Sequence, residues 1–139
     1  MLIDYFKKVV FDNYANFEGR ARREEYWNYV LAYFLLSIAS LFVFAPFSFI
    51  FDGAGLLGFL ILFRYLIFLL LIIPSTAVAV RRLHDIGKSG WILIIVFVPI
   101  VGFITLIVLL ATEGNYGPNK YGSDPKNPDS NDIFDHLVV

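Results

Sequence analysis

Three stretches of this chain are long, apolar and nearly free of charge, and they limit what it can fold into. Residues 28–51 and 91–111 contain no Asp, Glu, Lys or Arg, and residues 53–80 contain one charged side chain, Arg64. These runs of 24, 21 and 28 residues make up more than half of the 139. A bilayer's hydrocarbon core takes roughly 20 apolar residues per crossing helix. Soluble domains average about 25% charged residues, whereas this chain has 17%. The sequence therefore reads as an all-α integral membrane protein. Three transmembrane helices are expected, over about 28–50, 58–80 and 91–111.

The remainder excludes several classes of function. About 66 residues lie outside the three runs, too few and too scattered for a separate catalytic domain. A net charge of −1 offers no basic field for nucleic acid. With no cysteine there are no disulfides, thiolate metal sites or cysteine nucleophiles. The start, MLIDYFKKVVFDNY, lacks the apolar core and small-residue cleavage site of a signal peptide, so the spans are expected to direct insertion. No cofactor is implied.

Along residues 1–14 the apolar side chains Leu2, Ile3, Phe6, Val9, Val10 and Tyr14 recur at helical spacing, with Asp4, Lys7, Lys8 and Asp12 mostly opposite. This pattern suits a short amphipathic helix in the headgroup region, or one packed on the rest of the protein. A charged motif, FEGRARREEYW, fills residues 17–27, where Arg20 and Glu24 are spaced for an ion pair on one helical face. Pro46 implies a kink late in the first span, and residues 52–55 form its turn. Arg64 is expected to snorkel from the second span; the alternative points it into the bundle as an ion or substrate ligand.

The second motif, RRLHDIGKSGW, joins the second and third spans over residues 81–91. Arg81 and Asp85 stand one helical turn apart, Gly87 suits a left-handed helix cap, Ser89 suits an N-cap and Trp91 opens the third span. Pro99 and Gly102 suggest a bend or close helix contact there. From residue 112 the chain turns rich in Gly, Pro, Asn and Asp, and reads as a mostly irregular polar tail. Residues 126–139 form its flexible end, in which 133–139 suit a small apolar clasp.

Lys and Arg counts in short loops set orientation. Five precede the first span, three lie in the second loop and two in the tail, so three crossings put eight on one side and two on the other. The expected arrangement has a cytoplasmic N-terminus, an extracytoplasmic C-terminus and both motifs at the cytoplasmic surface. Trp27 and Trp91 then mark one interface.

The motifs F-x-G-R-A-R-R-x-x-Y-W and R-R-L-H-D-I-G-K-S-G-W resemble the signature of the domain-of-unknown-function 805 family, small YhaH-like proteins of the bacterial inner membrane. The resemblance continues through Pro99 and Gly102 into E-G-x-x-G-x-N-x-Y-G-x-D-P over residues 113–125, and covers roughly residues 5–125. It implies a compact multi-span helical protein of the cytoplasmic membrane, with a membrane domain over about 1–125. It implies no reaction, ligand or partner.

Three readings of the motifs remain open. In the first, Arg20, Arg22, Arg23, Arg81, Arg82, His84, Lys88 and Ser89 contact anionic lipid headgroups or a membrane partner. Gly19, Glu24, Trp27, Asp85, Gly87, Gly90 and Trp91 then serve the structure, some of the charges pairing among themselves. The second is transport by a homo-oligomer that uses Arg64. The third is an enzyme acting on a phosphorylated or lipid substrate, with His84 as acid–base group. G-K-S-G lacks Walker A spacing and a preceding strand. His84 and Asp85 are only two ligands, and Asp124, Asp129 and Asp132 lack an EF-hand's order, so no metal is expected.

Overall fold

The computed structural model describes residues 1–46 and 53–127. The turn expected at 52–55, the last residues of the first span and the tail beyond 127, with its apolar clasp, fall wholly or partly outside them. A first helix α1 (Leu2–Lys7) runs on through a π-helical turn (Lys8–Asp12). Then come α2 (Arg23–Phe44), α3 (Gly53–Asp85), a 3-10 segment (Gly90–Phe97) and α4 (Val101–Ala111). Among the described residues the only β feature is an isolated bridge between Asn119 and Gly122.

α2 and α3 form an antiparallel pair whose contacts step in register from end to end. Glu25 faces Arg81, the Tyr29 hydroxyl meets Ser75 at 2.6 Å, and Arg64 reaches the Ser37 carbonyl at 2.8 Å. Phe44 then packs edge-on against Phe59 and Phe63. At 22 and 33 residues, these two helices are long and apolar enough to cross a membrane. Their outer faces leave Phe34, Phe42 and Leu70 more than half exposed, an apolar surface far larger than water tolerates on a monomer.

Pro74 lies inside α3. It has no N–H for the carbonyl four residues back, so Leu70 loses its intrahelical partner. The Tyr14 hydroxyl, from the segment after the π turn, donates to that carbonyl at 2.7 Å. A backbone defect that lipid cannot solvate is thus repaired by a side chain 56 residues away.

The N-terminal helix docks on α2 and α3 with its inner side. Val9 is fully buried with Ala21, Tyr29 and Val78, and Phe6 stacks on Tyr29 with ring centroids 5.8 Å apart. Its outer side leaves Ile3 and Phe11 largely exposed. Packing against the protein, one of the two arrangements open in the sequence, therefore holds for the inner side.

The third apolar run does not form the single helix expected over 91–111. It folds into a hairpin of the 3-10 segment and α4, each arm about 16 Å long by its rise per residue and shorter than the roughly 30 Å hydrocarbon core. Pro99, Ile100 and the packing at Gly102 make the turn. Ile100 adopts φ +63°, a strained value for a β-branched residue, and the Val101 amide bonds the Pro99 carbonyl at 2.7 Å in a γ-turn. A Cβ on Gly102 would stand 1.7 Å from the Ile95 carbonyl oxygen, so only glycine lets the arms close.

Both ends of this hairpin sit at the charged end of α3. Gly90 abuts Val80, while the Arg82 guanidinium binds the carbonyls of Leu110 and Thr112. Residues 112–127 consequently pack at the same end as the N-terminal motif, rather than at the far end that three crossings require.

The Tyr14 repair is testable with a double-mutant cycle in detergent. Tyr14→Phe should lower unfolding stability by about 1 kcal/mol, the usual worth of one such bond. Pro74→Ala should shrink that loss towards zero, because the new N–H takes over Leu70. Equal losses in both backgrounds would show that Tyr14 contributes packing only.

Candidate functional site

The two sequence motifs and residues 112–127 meet in one charged node at the end of α3. Asp85, the last residue of the helix, has a nearly buried carboxylate. It accepts from Arg20 Nε at 3.0 Å through Oδ1 and from Arg82 through Oδ2. The backbone joins in, with the Asn115 amide donating to the Asp85 carbonyl at 2.8 Å. Gly114 lies so close that a Cβ there would fall 2.1 Å from Oδ2.

Each guanidinium finishes its donor set on carbonyl groups. Arg20 reaches Gly117 and Asn115, both at 2.6 Å, and Arg82 takes Leu110 and Thr112. Arg22 binds the Pro125 carbonyl at 2.6 Å through Nε. The planar five-donor fork of Arg suits this task, which a Lys point charge cannot match. The Arg20 and Arg82 side chains are 1% and 0% exposed.

A second node lies beside the first. Glu25, 2% exposed, sits between Lys8 Nζ at 2.5 Å and Arg81 Nη1 at 2.9 Å. Arg81 keeps Nε and Nη2 without a hydrogen-bond partner, so charge and packing hold it. Its own carbonyl accepts from the Ala21 amide at 3.0 Å, which ties the first motif's backbone to the second.

Two pairings expected from spacing are replaced. Arg20 does not pair with Glu24, because α2 begins at Arg23 and leaves Arg20 in extended chain that crosses to Asp85. Glu24 instead lies near the Tyr5 hydroxyl at 3.5 Å. Asp85 pairs with Arg82, three residues back, while Arg81 turns to Glu25 on α2.

The caps form where the sequence put them. Gly87 has φ +72°; its amide bonds the His84 carbonyl and the Lys88 amide bonds that of Leu83, closing a Schellman motif. Ser89 caps the 3-10 segment by accepting from the Trp91 amide. Gly19, at φ +77°, turns the chain before Arg20. Gly90 serves space rather than conformation, since a Cβ there would strike Val80 at 2.7 Å.

His84 is held by structural contacts. Its Nδ1 lies 3.2 Å from the Gly19 carbonyl, its own carbonyl accepts from Asn119 at 3.0 Å, and its ring stacks on Tyr121 at 3.8 Å. Asp85, its chain neighbour, points to the arginines and does not orient the imidazole. Among the described residues no group of three or more His, Cys, Asp or Glu is arranged to hold a metal.

Arg23, Glu24 and Lys88 are exposed, as is Trp91 at 80%, and Trp27 packs edge-on against Tyr26. Arg64 lies far from both nodes, on the carbonyl of Ser37. Spacing within the motifs did not single out Lys8, Asn115, Gly117 or Tyr121. For the last three the signal was the Gly-Asn-Asp pattern of 113–125, which reads as turns until its partners are known.

Asp124 organises that turn. Burial pushes its carboxyl up, but the amides of Lys126 and Gly117 and the nearby Arg20 charge outweigh this and hold it below its ordinary value.

Removing the central anion should be far costlier than removing an exposed cation. Asp85→Asn leaves two buried guanidiniums without a counter-ion, a change worth about 3–5 kcal/mol, and should abolish the folded fraction or depress the melting temperature steeply. Arg23→Gln should change stability by less than about 0.5 kcal/mol. Similar melting temperatures for the two variants would contradict the node's structural role.

Comparison with known proteins places the chain among inner membrane proteins. The model of a family described as proteins of unknown function (DUF805) matches residues 14–123. The inner membrane protein YhaI of Escherichia coli (strain K12) is 36% identical over 118 residues, covering 84% of this chain and 92% of YhaI. The inner membrane protein YhaH of the same strain is 36% identical over 127 residues, covering 89% of this chain and 98% of YhaH. No solved structure matches the chain. With both charged motifs and most of the 113–125 turn inside the matched region, the chain belongs to the DUF805 family of membrane proteins.

Proposed function

We propose that this protein is a non-catalytic component of the bacterial inner membrane that binds anionic lipid headgroups through its cytoplasmic face. The observation that carries the reading is how the cations divide. Arg20, Arg81 and Arg82 are buried on carboxylates and carbonyls, so they frame the face rather than contact a ligand. Arg22 is spent on Pro125. Arg23, Lys88 and Lys120 remain exposed at the same end, and each basic group near an anionic surface contributes about 1 kcal/mol. They take over the lipid-contacting role that the sequence assigned to the whole arginine set. His84 and Ser89 are held in place by the frame.

The topology that accompanies this reading has two crossings, α2 and α3, with the 3-10/α4 hairpin re-entering from the cytoplasmic side. Both the N-terminal motif and residues 112–127 are then cytoplasmic, and α1 with its π-helical turn lies at the headgroup level with Ile3 and Phe11 towards lipid. The charge distribution supports it: ten of the eleven Lys and Arg fall on one side, Arg64 being the exception. With three crossings the split is eight to two. Arg64, about 25 Å along α3 from Arg81 by helical rise, belongs near the opposite interface.

Two experiments test this. In native mass spectrometry from detergent, wild type should retain phosphatidylglycerol adducts that an Arg23→Gln/Lys88→Gln/Lys120→Gln variant loses; equal retention refutes the headgroup role. Because the chain has no cysteine, Ala15→Cys and Ser123→Cys report sidedness cleanly. Both should react with an impermeant maleimide in inverted vesicles and neither in intact spheroplasts. Labelling of Ser123→Cys from outside refutes the two-crossing topology.

A further inference from the structure

A cleft of about 520 Å³ opens beside the charged node, where the 3-10 segment leaves α3. Val80, Leu93 and Ile94 form its apolar floor, His84 and Tyr121 one wall, and Phe17 and Trp91 flank its mouth. We propose that this cleft is a specific site for one anionic phospholipid of the cytoplasmic leaflet, with an acyl chain along the floor and the phosphate at Ser89 and Lys120. The inference deepens the headgroup-binding reading and rests on it, by naming where the lipid sits.

Three observations select this occupant. The floor is continuous with apolar surface open to the bilayer, since Trp91 is 80% and Ile94 55% exposed. An acyl chain can therefore enter sideways without leaving hydrocarbon. The polar rim carries a cation and no lining carboxylate. Lys120 Nζ stands 4.9 Å over the Tyr121 ring, and no carboxylate is among the residues that line the cleft. Of the acids next to lining residues in sequence, Asp85 is turned away onto Arg20 and Arg82, and Glu18, beside Phe17, is exposed. Finally, the walls are fixed. His84 is pinned between the Gly19 carbonyl and the Tyr121 ring, and Ser89 is pinned as a cap, which leaves its hydroxyl proton for a phosphate oxygen. A preformed wall lowers the ordering cost of binding.

A cationic or zwitterionic headgroup fits less well, because Lys120 already occupies the open side of Tyr121. The site therefore discriminates by charge at its rim, while the chain contributes affinity without selectivity.

The test uses the full chain in detergent micelles and reads Trp91, one of two tryptophans, in a Trp27→Phe background. Phosphatidylglycerol brominated on its acyl chains should quench Trp91 saturably, and brominated phosphatidylcholine only in proportion to its bulk concentration. Lys120→Gln, an exposed change, should weaken the phosphatidylglycerol midpoint about fivefold, as expected for one basic group near the surface. Ile94→Phe, which fills the floor, should reduce the quenching amplitude. Non-saturable quenching equal for both lipids and untouched by either variant means annular lipid only, and overturns the site. If phosphatidylglycerol is retained in native mass spectrometry while Trp91 stays unquenched, the headgroup reading stands and this location falls. If neither occurs, both fall.

Discussion

The structure depends on Asp85 accepting two buried guanidiniums at the end of a membrane helix. Arg20 arrives from the extended chain before α2, and Arg82 from the helix that carries Asp85. One carboxylate cannot satisfy two five-donor forks, so the remaining donors reach for carbonyls. Those carbonyls belong to the end of α4 and to residues 112–117. A single buried anion thereby fixes where three separate pieces of chain end. The arrangement is stable as a set: with every partner present the charges are satisfied, while loss of one leaves another uncompensated in a poorly solvated place.

That node also explains the folded-back third run. The hairpin needs its two ends held together at the charged end of α3. Gly90 against Val80 holds one, and the Arg82 contacts to Leu110 and Thr112 hold the other. At its tip the strained Ile100 is kept in place by Pro99 and the close packing at Gly102. Non-helical backbone at membrane depth is tolerated where protein buries it or supplies its bonds. The Tyr14 bond to Leu70 solves the same problem for Pro74. Both devices spend long-range contacts on backbone groups that lipid would leave unsatisfied.

For function, the consequence is a division of labour among basic residues that look alike in sequence. Buried arginines frame a face, and exposed Arg23, Lys88 and Lys120 give it its charge. The same frame stiffens a cleft whose floor runs out into exposed apolar surface. On the proposed reading this face meets an anionic amphiphile, and His84, fixed by a carbonyl and a ring, forms part of its wall.

The sequence by itself determined membrane residence, the two long apolar helices, the Gly87 and Ser89 caps and the family. Each follows from local sums or short spacings: hydropathy over some 20 residues, or cap geometry within six. It also brought both motifs to one place. Tertiary structure alone decided that residues 91–111 fold back, that Arg20 takes Asp85 rather than Glu24, and that 112–127 closes over the motifs. Hydropathy of the third run is the same whether it crosses or returns. The choice rests on a tight turn and on carbonyl partners 28 and 30 residues from Arg82. The partners of Arg20 and Arg22 lie 65 to 103 residues away in the chain. No periodicity within a motif encodes contacts over such distances, because they exist only once the helices have packed.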